Sequence, residues 1–138
     1  MKALRIFFIL IAIFALFTPS PGVAGCLEGN CVDGEGVYEY PDGSVYRGAF
    51  QGGRANGQGK LMSPGGAEYV GEFKDNKAHG QGVMTSPDGT RYEGEFRENV
   101  KSGHGKLTFE NGKTYVGEFA DDEMNGRGTY TSSDGSYT

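Results

Sequence analysis

The residues best suited to metal or acid–base chemistry in this chain are two histidines, His79 and His104. His79 lies in the stretch AHGQG, and His104 stands between Gly103 and Gly105. No cysteine, aspartate or glutamate lies at metal-ligand spacing from His104, and a zinc site needs three or four protein ligands. We therefore expect a structural role for both histidines, in a turn for His79, and no metal site.

Two further stretches resemble ligand-binding loops but lack a required residue. Gly112-Lys113-Thr114 ends like a phosphate-binding loop, whose first glycine would fall where Leu107 stands. The stretch DDEMNG at 121–126 begins like a calcium loop, but its twelfth position is Ser132 in place of a bidentate glutamate. No Ser-His-Asp or Cys-His arrangement can be assembled from the remaining residues. The chain is therefore predicted to be non-enzymatic, with no catalytic residue and no cofactor.

The only cysteines are Cys26 and Cys31, in VAGCLEGNC, and two uses of them stay open. The four residues that end at Cys26 resemble the lipobox of bacterial lipoproteins, in which the cysteine carries lipid and becomes the mature N-terminus. The alternative is a disulfide, since two cysteines in an exported protein are commonly paired. The two uses exclude each other for Cys26. We favour the disulfide, because the breaker stretch TPSPG separates the box from the apolar segment before it.

Residues 1–25 predict a secretory signal peptide. Lys2 and Arg5 precede an uncharged apolar run from Ile6 to Phe17, which is too short to span a bilayer, and small residues follow it. Its removal leaves residues 26–138 and lowers Lys+Arg from 13 to 11 against 18 Asp+Glu, so the formal charge moves from −5 to −7. An acidic protein lacks the basic surplus that drives nucleic-acid binding.

A 23-residue period organises the rest of the sequence. The repeat-defining residues are Tyr46, Gly48 and Phe50, then Tyr69, Gly71 and Phe73, then Tyr92, Gly94 and Phe96, then Tyr115, Gly117 and Phe119. A leading half-unit supplies the glycines at 34, 36 and 43. A faint fifth copy, with Val23, Gly25 and Leu27, lies one period before the first tyrosine.

Each unit predicts a β-hairpin. In the stretch YVGEF at 69–73, alternation points Tyr, Gly and Phe to one face of a strand and Val and Glu to the other. A turn-rich stretch and a second alternating run follow, and Pro87-Asp88-Gly89 closes the unit as a turn. An isolated hairpin is marginal in water, so each unit must bury its rings against the next one. We expect the strand glycines to make room for aromatic rings of the neighbouring hairpin.

The pattern Y-x-G-x-F, six residues, G-x-G, six residues, G resembles the MORN repeat (membrane occupation and recognition nexus). It runs from Gly34 to Gly135, as a half repeat at 34–45 and full repeats that start at 46, 69, 92 and 115. The resemblance implies an all-β fold, an elongated antiparallel sheet of tandem hairpins. It also implies a scaffold or membrane-associated role, with links to lipids and to self-association.

The outward positions carry the expectations for function. Glu72, Glu95 and Glu118 recur at one position, which we interpret as a solvated strand face, with cross-strand pairing to Lys60 or Lys106. We expect a non-enzymatic, exported, periplasmic or secreted module that presents a protein-binding or scaffolding surface. The alternatives are lipid-headgroup binding and self-assembly through exposed strand edges. The candidate lipid or partner contacts are Lys74, Lys77, Arg97 and Lys101.

Overall fold

The computed structural model describes residues 24–132 and 135–137 of the protein. Every regular element in these ranges is a β-strand, which confirms the all-β prediction. The predicted signal peptide lies outside the described residues except for its last two positions, and it stays a prediction. The described ranges contain no helix long and apolar enough to cross a membrane. The strands are β1 Gly25–Gly29, β2 Gly34–Glu39, β3 Val45–Gln51, β4 Arg54–Met62, β5 Glu68–Lys74, β6 Lys77–Thr85, β7 Arg91–Arg97, β8 Val100–Thr108, β9 Thr114–Ala120, β10 Glu123–Ser132 and β11 Gly135–Tyr137.

The eleven strands form one open sheet in which their spatial order is their order in the sequence. All neighbouring strands are antiparallel, as expected from a succession of hairpins. The hairpins β3–β4, β5–β6, β7–β8 and β9–β10 are the four full repeats, and β2 is the second strand of the leading half-unit. The predicted antiparallel sheet of tandem hairpins is therefore confirmed.

The first strand of each repeat buries every second residue. In β3, Tyr46, Gly48 and Phe50 are buried, whereas Arg47 and Gln51 are exposed. The tyrosines and phenylalanines of all four repeats keep 8% or less of their exposure. We call their side of the sheet the aromatic face, defined by Tyr46, Phe50, Tyr69, Phe73, Tyr92, Phe96, Tyr115 and Phe119, and the opposite side the outer face.

A row of facing glycines crosses the sheet beneath the tyrosine rings. Gly48 pairs with Gly59 inside its hairpin, Gly59 pairs with Gly71 of the next hairpin, and the row continues from β1 to β10. A methyl group on Gly59 would overlap the ring of Tyr46. The strand glycines thus make room for rings as expected. The ring, however, comes from the same hairpin and not from the neighbouring one, so that part of the expectation is wrong.

The aromatic rings also join each repeat to the next. The Tyr46 ring centroid lies 5.1 Å from that of Phe50 and 4.8 Å from that of Phe73 in the following repeat, both edge-to-face. The same pair of contacts recurs at Tyr69 and Tyr92. Each tyrosine hydroxyl donates to the backbone carbonyl three residues further on, at 2.9–3.3 Å. Ring packing therefore runs without interruption through the four repeats.

The turn inside each repeat bonds to the preceding repeat. Asp75 and Asn76 have φ angles of 48° and 68°, as a type I′ hairpin turn requires. The Asn76 Oδ1 atom accepts from the Ala55 N–H at 2.8 Å, and the Asn76 N–H donates to the Ala55 carbonyl at 3.0 Å. Asn99 and Asp122 make the same two bonds to Ala78 and Lys101. These bonds fix the register between successive hairpins.

The turns that join successive repeats lie at the other ends of the strands from the turns inside the repeats. The Ser44 N–H donates to the Asp42 carboxylate at 2.8 Å, and the Thr90 N–H donates to the Asp88 carboxylate at 2.8 Å. These bonds favour the charged form and lower the pKa of both aspartates below the usual value. Gly89 has a φ of +88°, as expected for the predicted Pro-Asp-Gly turn.

The N-terminal strand departs from the repeat register. Gly29 lies opposite Gly36, where the period would place Gly25, so β1 is displaced by four residues. The prediction that the faint fifth copy forms the first strand of a repeat is therefore wrong. Leu27 is 43% exposed and does not fill a phenylalanine position. The Cys31 sulfur lies against Gly36, in the space that a tyrosine ring fills over the equivalent glycine of later repeats.

Candidate functional site

The outer face carries two parallel rows of side chains that cross the strands. The first, which we call the valine row, follows direct cross-strand pairs through Arg47, Lys60, Val70, Val83, Glu93, Lys106, Val116 and Thr129. The second, the glutamate row, lies beyond the glycines and contains Ala49, Gln58, Glu72, Gln81, Glu95, His104, Glu118 and Arg127. The back of the glycine row lies between them.

A groove of about 840 Å³ runs between these rows, from Gln58 in β4 to Val116 in β9. Its floor is the backbone of the strand glycines, which carry no side chains to fill it. Val70 and Val116 are 44% and 51% exposed, and Val83 lies half-buried between them. Exposed aliphatic side chains on the extended surface of a repeat protein are typical of sites that bind other macromolecules.

The glutamate row is built on β-bulges. In the second repeat, Glu72 faces three residues of β6, and its Oε2 atom accepts from the Gln81 N–H at 3.1 Å. Glu95 accepts from the His104 N–H at 3.2 Å, and Glu118 from the Arg127 N–H at 3.3 Å. Each carboxylate therefore satisfies a backbone donor that the bulge takes out of the ladder.

This geometry corrects the interpretation of the recurring glutamates. They are not merely a solvated strand face, since each holds a bulge together. Lys60 pairs with Glu68 at 2.8 Å and not with a residue of the glutamate row. Both side chains of the pair are exposed, so it contributes at most about 1 kcal/mol to the free energy of unfolding.

The family of the protein follows from a comparison with protein-family models. The model described as MORN repeat matches residues 33–45, 46–68, 69–91, 92–114 and 115–137. The chain belongs to the MORN-repeat family. The full MORN repeats begin at the same tyrosines that set the 23-residue period. No curated protein sequence matches this one. MORN repeats form modules for protein or membrane-lipid interaction and are not typically enzymatic.

The candidate basic contacts do not gather on one surface of the MORN sheet. Three of them, Lys74, Lys77 and Arg97, flank the type I′ turns at one end of the strands. Acidic turn residues, Asp75 and Glu98, lie next to them. Lys101 lies on the aromatic face, with its Nζ atom 5.8 Å from the Tyr92 ring centroid. The strand ends at these turns are thus mixed in charge.

The two cysteines lie at the start of the sheet. Cys26 and Cys31 are joined in a disulfide, with their Cα atoms 5.9 Å apart. The bridge closes the β1–β2 turn beside Gly36. In this arrangement Cys26 has no free thiol for a lipid. The choice between bridging and acylation in the exported protein stays a prediction.

The histidines lie apart from each other. His79 lies within β6 as a bulge residue and not in a turn, so the expected turn role is wrong. His104 occupies the glutamate row, with its Nε2 atom 3.9 Å from a Glu118 oxygen. The described residues contain no group of three or more His, Cys, Asp or Glu side chains that could hold a metal ion. Burial raises the pKa of Tyr46, Tyr69 and Tyr92 to about 12, so these phenols stay protonated at neutral pH.

Proposed function

We propose that this MORN-repeat protein is a non-enzymatic binding module that holds a segment of a partner protein in the groove of its outer face. The observation that carries the proposal is the presence of three aliphatic side chains in the valine row along a glycine floor, with Val70 and Val116 exposed and Val83 half-buried. The aromatic face is occupied by internal packing, whereas nothing in the fold requires apolar side chains in the valine row.

The groove suits a protein segment better than an anionic membrane surface. One wall carries the carboxylates of Glu72 and Glu95, and Glu93 lies in the other wall next to Lys106. These carboxylates would repel anionic headgroups, because electrostatic adhesion to such lipids needs a basic surplus. A partner segment with aliphatic side chains at alternate positions would bury the valines without that repulsion.

The test is capture of a partner from an envelope fraction by residues 26–138, with photo-crosslinking from the groove. Val70→Glu and Val116→Glu should lose the captured band, since each places a charge on the groove wall. Val32→Glu is the matched control, because Val32 is 58% exposed and lies outside the groove. All three positions are exposed, so we expect unchanged Tm values. Full capture by both groove variants would refute the proposal.

Lipid-headgroup binding is the alternative that the basic residues Lys74, Lys77 and Arg97 support. Co-sedimentation with vesicles of anionic phospholipid at low and moderate salt tests it. If the protein pellets at low salt and replacement of all three residues by Gln abolishes the pelleting, lipid binding is favoured over protein binding. The absence of pelleting at both salt concentrations would remove this alternative.

Self-assembly through strand edges is the second alternative. β11 pairs with β10 only at Tyr130, Thr131 and Ser132, so within the described residues the rest of β10 is paired only with β9. Unpaired strand edges are templates for pairing with another polypeptide. Sedimentation velocity over a wide concentration range tests this alternative, and a strictly monomeric particle argues against it.

We further propose that the protein is exported and acts in the periplasm or outside the cell. The support is the sequence pattern of residues 1–25 and the cysteine pair that follows. Intact-mass measurement of the mature protein decides how Cys26 is used. A loss of two hydrogens indicates the bridge, and a gain of several hundred daltons indicates a lipid that anchors the module to a membrane.

A further inference from the structure

One repeat lacks the carboxylate that the other three share. Glu72, Glu95 and Glu118 each accept a backbone N–H from the facing bulge, but the equivalent residue of the first repeat is Ala49. The donor that corresponds to the Gln81 N–H is the Gln58 N–H. No side chain among the described residues accepts a hydrogen bond from it.

The space for the missing carboxylate is open. In the second repeat, a methyl group on Gly80 would overlap the Glu72 carboxylate, which shows how closely that group fills the bulge. At the equivalent Gly57, the Ala49 Cβ, at 3.3 Å, is the only atom of the described part of the chain near such a methyl group. Gly57 and Gln58 are both accessible to solvent, and Gln58 lies at the end of the groove. The bulge of the first repeat is therefore reachable from the groove.

Two cations flank this bulge. Arg47 and Lys60 are direct cross-strand partners in the valine row, where the second repeat has two valines. Among the described residues, the one ion-pair partner of Arg47 is distant, a Glu28 oxygen at 4.0 Å, and both side chains are exposed. Lys60 pairs with Glu68 at 2.8 Å. A carboxylate at the bulge would thus find a backbone N–H and a guanidinium whose donors are largely free.

We propose that the bulge at Ala49 and Gln58 is a carboxylate-binding site that receives an acidic group of the partner segment. This inference rests on the proposed function, because the groove delivers the group. One oxygen takes the position that Glu72, Glu95 and Glu118 occupy in their repeats, and accepts from the Gln58 N–H. The other oxygen faces Arg47. The ligand is the side-chain carboxylate of an aspartate or glutamate, or the terminal carboxylate of the partner polypeptide.

Acidic neighbours set the strength of this site. Glu35 is the direct cross-strand partner of Ala49, and Glu28 lies near Arg47. They oppose a second carboxylate, so a small free acid binds weakly. A carboxylate that belongs to a segment already held in the groove binds at a high effective concentration, commonly in the millimolar range for a short flexible link. The site therefore anchors and orients a partner, and it selects for an acidic group at one end of the groove.

Titration with sodium acetate, followed by amide NMR of residues 26–138, tests the site directly. The Gln58 amide proton should move downfield and saturate, because it gains a charged acceptor. The Gln81, His104 and Arg127 amides are internal controls, since their acceptors are already in place. Sodium chloride at equal ionic strength should move none of the four. A Gln58 shift no larger than the controls, or equal in chloride, overturns the proposal.

The variant Ala49→Glu supplies the missing carboxylate from within the protein. Its Gln58 amide should no longer respond to acetate, because the new carboxylate accepts from the same N–H. Ala49→Gln is the neutral control, which fills the space without the charge. Arg47→Gln should weaken acetate binding at least about threefold. N-acetylglycine replaces acetate in a parallel titration, and half-saturation at lower concentration with it assigns the ligand to the terminal carboxylate of the partner.

The two proposals fail in different ways. If acetate leaves Gln58 unchanged while Val70→Glu still abolishes capture, the groove stands and the carboxylate site is refuted. If acetate binds at Gln58 while the groove variants capture the partner fully, the proposed function is refuted. When both hold, Ala49→Glu should weaken partner binding at least about fivefold, whereas Ala49→Gln should weaken it less.

Discussion

Replacement of Tyr92 by alanine tests whether ring packing between repeats holds the sheet together. Tyr92 retains 1% of its exposure, and its ring centroid lies 5.1 Å from that of Phe96 and 4.8 Å from that of Phe119 in the next repeat. Deleting a buried aromatic ring costs about 3–5 kcal/mol. Since 1 kcal/mol moves the Tm of a domain of this size by about 4 °C, Tyr92→Ala should lower the Tm by at least about 12 °C.

A second variant separates the hydroxyl from the ring. The Tyr92 hydroxyl lies 3.0 Å from the Glu95 carbonyl and 3.3 Å from the Ser102 carbonyl. Tyr92→Phe keeps the ring and removes this donor, at a cost of about 1 kcal/mol, or about 4 °C. Tyr115→Ala is the positional control. Among the described residues, the Tyr115 ring packs against one ring only, that of Phe119 at 5.4 Å, so its loss should cost less than that of Tyr92.

The assay is thermal unfolding followed by calorimetry and by far-UV circular dichroism. Calorimetry matters because repeat arrays unfold in parts when one interface is weakened, and a single Tm then loses its meaning. We expect Tyr92→Ala to split or broaden the transition at the middle of the stack. An unchanged Tm in Tyr92→Ala, or an equal loss in Tyr92→Ala and Tyr92→Phe, would refute the assignment of stability to the rings.

Three further predictions concern turns, protonation and bulges. Asn99→Gly should lose about 1 kcal/mol, because it keeps the left-handed turn but removes the bond to Ala78, whereas Asn99→Asp should be tolerated as Asp122 is. Urea denaturation measures both. The contribution of the buried tyrosines to stability should stay constant up to pH about 10 and fall from there to about 12, since Tyr46, Tyr69 and Tyr92 hold their protons in the folded state after the unfolded state has lost them. Denaturation across that range checks the sign, and rising stability would contradict it. Glu95→Ala should lower the free energy of unfolding by about 1 kcal/mol, because the His104 N–H loses its acceptor. Glu95→Gln should lose less, because its amide oxygen still accepts. Amide hydrogen exchange at His104 measures the effect of both variants.

The repeat and its strand faces were predictable from the sequence for a physical reason. A period of 23 residues with Tyr, Gly and Phe at alternate positions leaves one face of a strand apolar, and only stacking of hairpins can bury it. The alternation around Tyr69 and Phe73 therefore appears in β5 as predicted. The hairpin that supplies the ring over each glycine was not predictable. A 23-residue period is the same whether a tyrosine ring packs within its own hairpin or against the next one.

The bulges and the turn bonds could not be derived from residue types alone. The sequence Gly-Glu-Phe predicts an exposed strand glutamate. Glu72 reaches a backbone N–H only because it faces three residues of β6 in the bulge. Asn76 likewise reads as an ordinary turn residue. The recurrence of Asn or Asp at 76, 99 and 122 was a usable indication, since a turn alone does not require the same oxygen acceptor each time.

In this protein, conservation between repeats and variation between repeats have different causes. The tyrosines, phenylalanines, facing glycines and bulge glutamates recur because every hairpin must meet the same neighbour in the same way. The valine row faces solvent and has no such requirement, so its change from Arg47 and Lys60 to Val70 and Val83 is free of packing constraints. Ala49 is a different case, because it breaks the bulge pattern. Its direct cross-strand partner is Glu35, whereas the bulge glutamates face glutamine or histidine. The carboxylate of a partner segment can fill the place that Ala49 leaves open, so Ala49→Glu should weaken partner binding more than Ala49→Gln does.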